Sequence, residues 1–191
     1  RTETTTVFVV DASGSQALNR LAEVKGAVEL LLAECYVRRD QVALIAFRNK
    51  EAELVLPPTR SLVRAKRALA GLPGGGGTPL ARGLDMARLV TDGCARKGQT
   101  PVIVVMTDGR ANVARDGTGG RDVAEADAAD AARMLRADGR LAIVVDTSPR
   151  PQPDAKEIAR ELDALYLPLP RADAVVLSEA VGGAAAGRRA R

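Results

Sequence analysis

A chain of 191 residues with 46% apolar and 27% charged residues fits one globular domain, large enough to bury a core without disulfide or metal staples. Aromatic residues are only 2%, so the core is built from Val, Leu, Ile and Ala, and nucleic-acid binding by base stacking is disfavoured. The net charge of +4 comes from 28 basic residues spread along the chain, which read as solvated helix faces rather than an electrostatic site; the densest group is Arg60, Arg64, Lys66 and Arg67.

Strand-like and helix-like stretches alternate from end to end. The first strand is expected at Thr5–Asp11. An amphipathic helix follows, with Leu18, Leu21, Val24, Val28, Leu31, Leu32 and Cys35 at spacings of three and four. Val42–Phe47 and Ala52–Leu56 are joined by the hairpin-length link Arg48–Glu51, so the third strand should run antiparallel until Pro57-Pro58 stops it. Ser61 suits the N-cap of a helix to Ala70. The Gly74–Gly77 run leads to Thr78, and Pro79 takes the first turn of a helix to about Thr91. Pro101–Thr107 is apolar throughout, as a parallel strand buried on both faces should be. A polar stretch, Asp108–Gly120, precedes the helix Asp122–Ala137, and the strand Leu141–Asp146 comes next. The loop Ser148–Pro153, the helix Ala155–Leu162, a short strand Leu165–Leu167 and a last helix Asp173–Val181 complete the pattern. This alternation predicts an α/β fold: an open, doubly wound, mostly parallel six-stranded sheet with one antiparallel edge strand and helices on both faces. The domain is expected over 1–181, with a disordered Gly/Ala/Arg tail over 182–191.

Cys35 and Cys94 have no C-x-x-C spacing and read as free thiols of a reducing, cytoplasmic compartment. No apolar run approaches the roughly 18 residues of a membrane span, and no signal peptide opens the chain. A start at Arg1 without Met reads as a piece cut from a longer protein.

Asp11-Ala12-Ser13-Gly14-Ser15 is the most informative segment. It sets a carboxylate and two hydroxyls at alternate positions where a buried strand gives way to a loop. These are hard oxygen donors, suited to Mg²⁺ rather than Zn²⁺ or copper. Thr78 and Asp108 stand in equivalent settings, at loops opening on the same sheet edge, where open α/β sheets carry their sites. Each motif alone is also a turn or helix cap; together they form a metal site.

Catalysis by the chain itself is not expected. With no histidine, Ser13 and Ser15 belong to no Ser-His-Asp triad, and no G-x-S-x-G elbow is present. The Gly74–Gly77 run lacks the Gly-Lys-Ser/Thr of a P-loop, and Leu72-Pro73 rather than a strand precedes it. A phosphatase of the haloacid-dehalogenase type would place a second carboxylate at position 13, which is Ser13.

Asp11-x-Ser13-x-Ser15, the Thr78 loop and Thr107-Asp108-Gly109 resemble the metal-ion-dependent adhesion site of von Willebrand factor A (integrin I-like) domains. The resemblance implies Ser13 and Ser15 as direct ligands of one Mg²⁺, and Asp11 and Asp108 as ligands directly or through water. Thr78 would change between these modes, with a partner carboxylate completing the shell. Longer stretches, among them Ala33–Asp40 with Val42–Arg48, Leu72–Leu80, Thr107–Asn112 and Val145–Pro151, resemble the C-terminal domain of the magnesium chelatase D subunit. That resemblance implies a non-catalytic interaction module bridging an AAA+ subunit and a porphyrin-binding subunit during ATP-dependent insertion of Mg²⁺ into protoporphyrin IX. No nucleotide site is expected in this chain. Arg110, Arg115 and Arg121, on the loop that starts at Asp108, are candidate partner contacts, with solvated loop charge the alternative. A domain of another AAA+-associated or cobalt-chelatase complex is the second reading.

Overall fold

The computed structural model describes residues 2–14, 17–169 and 179–184, with backbone alone for 17–21. Six strands form one sheet in the order β3-β2-β1-β4-β5-β6. The strands are β1 (Thr4–Asp11), β2 (Gln41–Arg48), β3 (Glu51–Thr59), β4 (Thr100–Thr107), β5 (Leu141–Asp146) and β6 (Leu165–Pro168). All neighbours pair in parallel except β2 with β3, which is antiparallel. The helices are α1 (Ala17–Val37), α2 (Leu62–Ala70), α3 (Leu80–Arg96), α4 (Arg121–Ala137) and α5 (Pro153–Leu162).

The continuous apolar runs of the central strands are explained by burial on both faces. Because side chains alternate across a strand, Phe8 and Val10 join Val102, Val104 and Met106 in a core beneath α1 and α2. Val7 and Val9 join Ile103, Val105, Ala43, Ile45 and Phe47 beneath α3, α4 and α5. Cys35 and Cys94 are free and buried. Among the described residues no helix is long and apolar enough to cross a membrane.

Besides shifts of one or two residues at other element ends, three boundaries differ from the sequence reading. β3 runs through Pro57 and Pro58 to Thr59. It is an edge strand, so a missing N–H on its free side costs no ladder bond, and the register shifts between Val42 and Ile45 absorb the irregularity. Pro79 occupies the N-cap position rather than the first turn, and α3 continues to Arg96. Residues 179–184 are helical, so the last helix passes Val181 into the expected tail; its first part, Ser15, and the tail beyond 184 lie outside the described residues. Ser61 caps α2 as expected, its hydroxyl accepting the Arg64 N–H at 3.2 Å.

Val104 is fully buried in β4 between β1 and β5. Val104→Asp should therefore unfold the domain, at a cost of about 4 kcal/mol or more. Asp108→Ala, at a half-buried loop position, should leave the fold intact. Thermal melts by circular dichroism distinguish the two outcomes.

Candidate metal centre

Parallel strands place their C-terminal ends at one edge, and β1 and β4 are neighbours there. Val10 pairs with Met106, so Asp11 and Thr107 end adjacent strands. The chain leaves β1 through a turn in which Asp11 Oδ1 accepts the Ser13 N–H at 3.0 Å and the Ser13 hydroxyl. Ser13 Oγ lies 2.7 Å from Thr78 Oγ1, which joins the first and second motifs directly. Thr107 Oγ1 donates to Asp11 Oδ2 at 3.2 Å and accepts the Gly109 N–H at 3.1 Å. One hydroxyl thus ties Asp11 to the Asp108 loop.

The Gly-rich loop closes over the first motif through two backbone bonds, Gly75 N–H to Ala12 O and Gly14 N–H to Gly76 O. Gly76 has φ of +86°, and a Cβ there would lie 1.8 Å from Asn49 Oδ1. The tip of the β2–β3 hairpin, with Asn49 itself at φ 56°, thus packs its side chain against a glycine whose positive φ already disfavours other residues. Thr78 is held by Asn112, whose Oδ1 accepts its N–H at 2.7 Å. Asp108 Oδ1 accepts the Arg110 N–H at 2.9 Å in a tight local turn.

The structure thus brings Asp11, Ser13, Thr78 and Asp108 to one place, while Ser15 lies outside the described residues. Thr107 and Asn112 were not singled out as site residues from sequence. For Thr107 a signal existed, since it is the one hydroxyl closing an otherwise apolar, fully buried strand end. Asn112, exposed and 34 residues from its partner, gave none.

The donor set is oxygen only. Among the described residues, no basic side chain forms an ion pair with Asp11 or Asp108. Burial raises the Asp11 pKa from 3.8 to about 6, against the hydrogen bonds from Ser13 and Thr107, and the nearby charge of Asp108 adds to the rise. Two neighbouring carboxylates without a basic partner, flanked by two hydroxyls, fit a hard divalent cation.

The three arginines differ in surroundings. Arg115 is tied down, its guanidinium bonding Asp85 at 2.9 and 3.0 Å and Asp130 at 2.6 Å. Arg121 pairs with Glu125 one turn on, at 3.2 Å. Arg110 is exposed next to Asp108 and only 3.9 Å from Asp154 in α5.

The raised pKa of Asp11 has a consequence for the metal-free chain. The folded state holds its proton to about pH 6, while the unfolded carboxyl releases it near 3.8. Asp11 should therefore contribute stability at acid pH that is lost as pH rises from about 4 to 6. Asp11→Asn should raise metal-free stability at pH 7.5 by about 1–2 kcal/mol, less than the full shift implies because Asp11 is only half-buried, and have little effect at pH 4. Urea titrations at the two pH values check the sign.

Comparison with known proteins agrees with this geometry. The pattern of the von Willebrand factor type A domain family matches residues 6–110. The chain is 57% identical over 178 residues to the magnesium-chelatase 60 kDa subunit of Cereibacter sphaeroides, covering 93% of this chain and 32% of that protein. It is 50% identical over 178 residues to the subunit of the same name from Rhodobacter capsulatus, again covering 93% and 32%. It thus spans about a third of the length of these curated relatives. A solved von Willebrand factor type A structure from Catenulispora acidiphila superposes with a TM-score of 0.67 at 20% identity, over 97% of this chain and 42% of that one, which speaks to fold alone. With its motif loops, sheet order and near relatives in agreement, the chain belongs to the von Willebrand factor type A domain family, in the branch that includes magnesium-chelatase subunits.

Proposed function

We propose that this chain is the metal-ion-dependent interaction module of a magnesium-chelatase subunit of the D type. The observation that carries the reading is the half-buried Asp11 carboxylate, bonded among the described residues to neutral donors and linked through Ser13 to Thr78. Asp11, Ser13, Ser15, Thr78 and Asp108 would hold one Mg²⁺. When bound, the ion supplies electrophilic pull on an incoming carboxylate.

The chain's own groups do the remainder. Ser13 and Thr78 present hydroxyls that add no charge, so the site keeps affinity for one further anionic oxygen. Thr107 and Asn112 hold Asp11 and Thr78 in place from behind. Arg110 is exposed at the rim, held only loosely by Asp154, and can meet an acidic surface, while Arg121 opens α4 at the end of that loop with a weak helical partner. Arg115 is already engaged by two aspartates and organises the loop rather than the partner.

The partners on this reading are the AAA+ subunit and the porphyrin-binding subunit of a chelatase that inserts Mg²⁺ into protoporphyrin IX. The near relatives are magnesium-chelatase subunits, which supports the assignment. The domain contributes docking rather than catalysis, and acts in the cytoplasm as part of the complex. The donor set suits retention of the resident ion, whereas a cation in transit to a porphyrin would need to pass to nitrogen ligands.

Isothermal titration should give one Mg²⁺ per chain for the wild type and none for Asp11→Ala; equal binding by both removes the metal assignment. Surface plasmon resonance against each partner subunit separates two contributions. EDTA and Asp11→Ala should abolish specific docking. Arg110→Ala should slow association by a few-fold at low salt, and the difference should shrink at high salt. Docking indifferent to chelator and to Asp11→Ala would eliminate the adhesion mechanism even where metal binds.

A further inference from the structure

A second Asp-x-Ser turn stands two strands away from the first. Asp146 ends β5 as Asp11 ends β1, and Ser148 follows it as Ser13 follows Asp11. In both turns the serine N–H and hydroxyl donate to the same carboxylate oxygen, Oδ1. The second oxygens differ. Among the described residues, Asp11 Oδ2 receives one hydroxyl, from Thr107. Asp146 Oδ2 receives the phenol of Tyr166 in β6 and the N–H of Gln152 at 3.3 Å. Asp146 is 0% exposed and Ser148 4%. Four donors fill the acceptor capacity of one carboxylate, so this turn is a clamp rather than a second cation site.

The clamp backs onto the loop that carries Asp108. Thr107 and Asp146 are register partners at the ends of β4 and β5. The Thr147 N–H donates to Thr107 O at 3.1 Å, one residue before Asp108. The chain then passes Gln152 into α5, whose first turn lies directly against the ligand loop. Gly109 has φ of +82°, and a Cβ there would sit 2.2 Å from Ala155 N and 2.5 Å from Asp154 O. Arg110 approaches Asp154 to 3.9 Å. On the far side, Tyr166 is register partner of Val144, and Lys156 of α5 lies 5.7 Å from its ring. The Asp108-Gly109-Arg110 backbone therefore rests on a shelf whose shape is fixed from behind by Asp146.

We propose that Tyr166, acting through Asp146, is a positioning residue for the Asp108 loop: its hydroxyl locks the β5–α5 turn that forms the shelf beneath that loop. The value of this for metal binding rests on the reading of Asp108 as a ligand. Partners behind a ligand reduce the ordering a bound ion must impose, and their loss typically weakens affinity by about tenfold or more.

Tyr166→Phe removes one oxygen and keeps the ring and its contact with Lys156. In the metal-free chain, hydrogen exchange of the Gly109, Arg110, Thr147 and Ser148 amides should speed up by about tenfold, while amides of β1 and central β4 change little. Titration with Mg²⁺ alone should show affinity lowered by about five- to tenfold, with the melting temperature little altered. Ser148→Ala, which deletes a different donor to the same carboxylate, should produce the same local pattern. Unchanged exchange at Gly109 and Arg110 in both variants overturns the proposal whether or not metal binds. A uniform rise at all amides, with a matching loss of thermal stability, also overturns it, since the role would then be structural. Local loosening with unaltered Mg²⁺ affinity overturns the link to the site. Local loosening in a chain whose wild type binds no Mg²⁺ supports the clamp and removes the metal reading instead.

Discussion

The edge of this sheet where the parallel strands end is organised around a carboxylate that burial disfavours and that, among the described residues, no basic side chain neutralises. Asp11 is held half-buried, because the four residues before it are fixed by apolar packing on both faces of the sheet. Among the described residues its charge is met by two hydroxyls and one N–H, and Asp108 nearby makes it worse. Neutral dipoles compensate a buried charge incompletely, and the raised pKa records the deficit. The cost is tolerable because the core beneath is large. A site that is slightly unstable alone is one that gains most from a cation.

Sheet topology turns this local strain into a site. Parallel pairing of β1 with β4 and of β4 with β5 sends three successive strand ends to the same edge. The crossover through β2 and β3 returns the Gly-rich loop across that edge before α3 begins, and its backbone bonds to Ala12 and Gly14 tie it to the first motif. Residues 67 apart in sequence, Asp11 and Thr78, thereby share a hydrogen-bonded cluster through Ser13. The same topology explains the hierarchy behind the candidate ligands: Thr107 links the ends of β1 and β4, and Asp146 stands beside it at the end of β5.

Much of the fold was legible because its periodicities are clean. The unbroken apolar runs of β1 and β4 identify two-faced burial, and the polar Asn49-Lys50 link identifies the hairpin. Pro57 and Pro58 do not end β3 as their lack of an N–H suggests, because on an edge strand the missing donor can face away from the ladder and the shifted register with β2 accommodates them, which local sequence does not reveal. The oxygen donors were legible for a related reason: hydroxyls and carboxylates at the ends of apolar runs are conspicuous. Their supports were not. Asn112 and Tyr166 act across 34 and 20 residues on partners that only the folded sheet brings within reach. Arg115 was read as a rim residue from its loop, yet Asp85 and Asp130 come to it from two different helices.

The distribution of charge bears on how such a domain could respond to a partner. A site that neutralised its cation fully with carboxylates would bind it tightly and offer little to a newcomer. Here hydroxyls supply part of the shell, so on the proposed reading the bound ion retains positive charge directed out of the sheet edge. Arg110 adds a second positive feature on the same rim, held loosely by Asp154 at a distance where water competes. Arg115, by contrast, spends its charge inside the domain, giving the Gly-rich segment after Asp108 a fixed course. On the proposed reading the loop is tied down where it carries Asp108 and available where Arg110 faces outward. Rigidity at Asp108 favours a site formed before the partner arrives, so that the arriving carboxylate need order itself alone. That division, rather than the count of ligands, is what would make docking conditional on one well-placed acidic side chain.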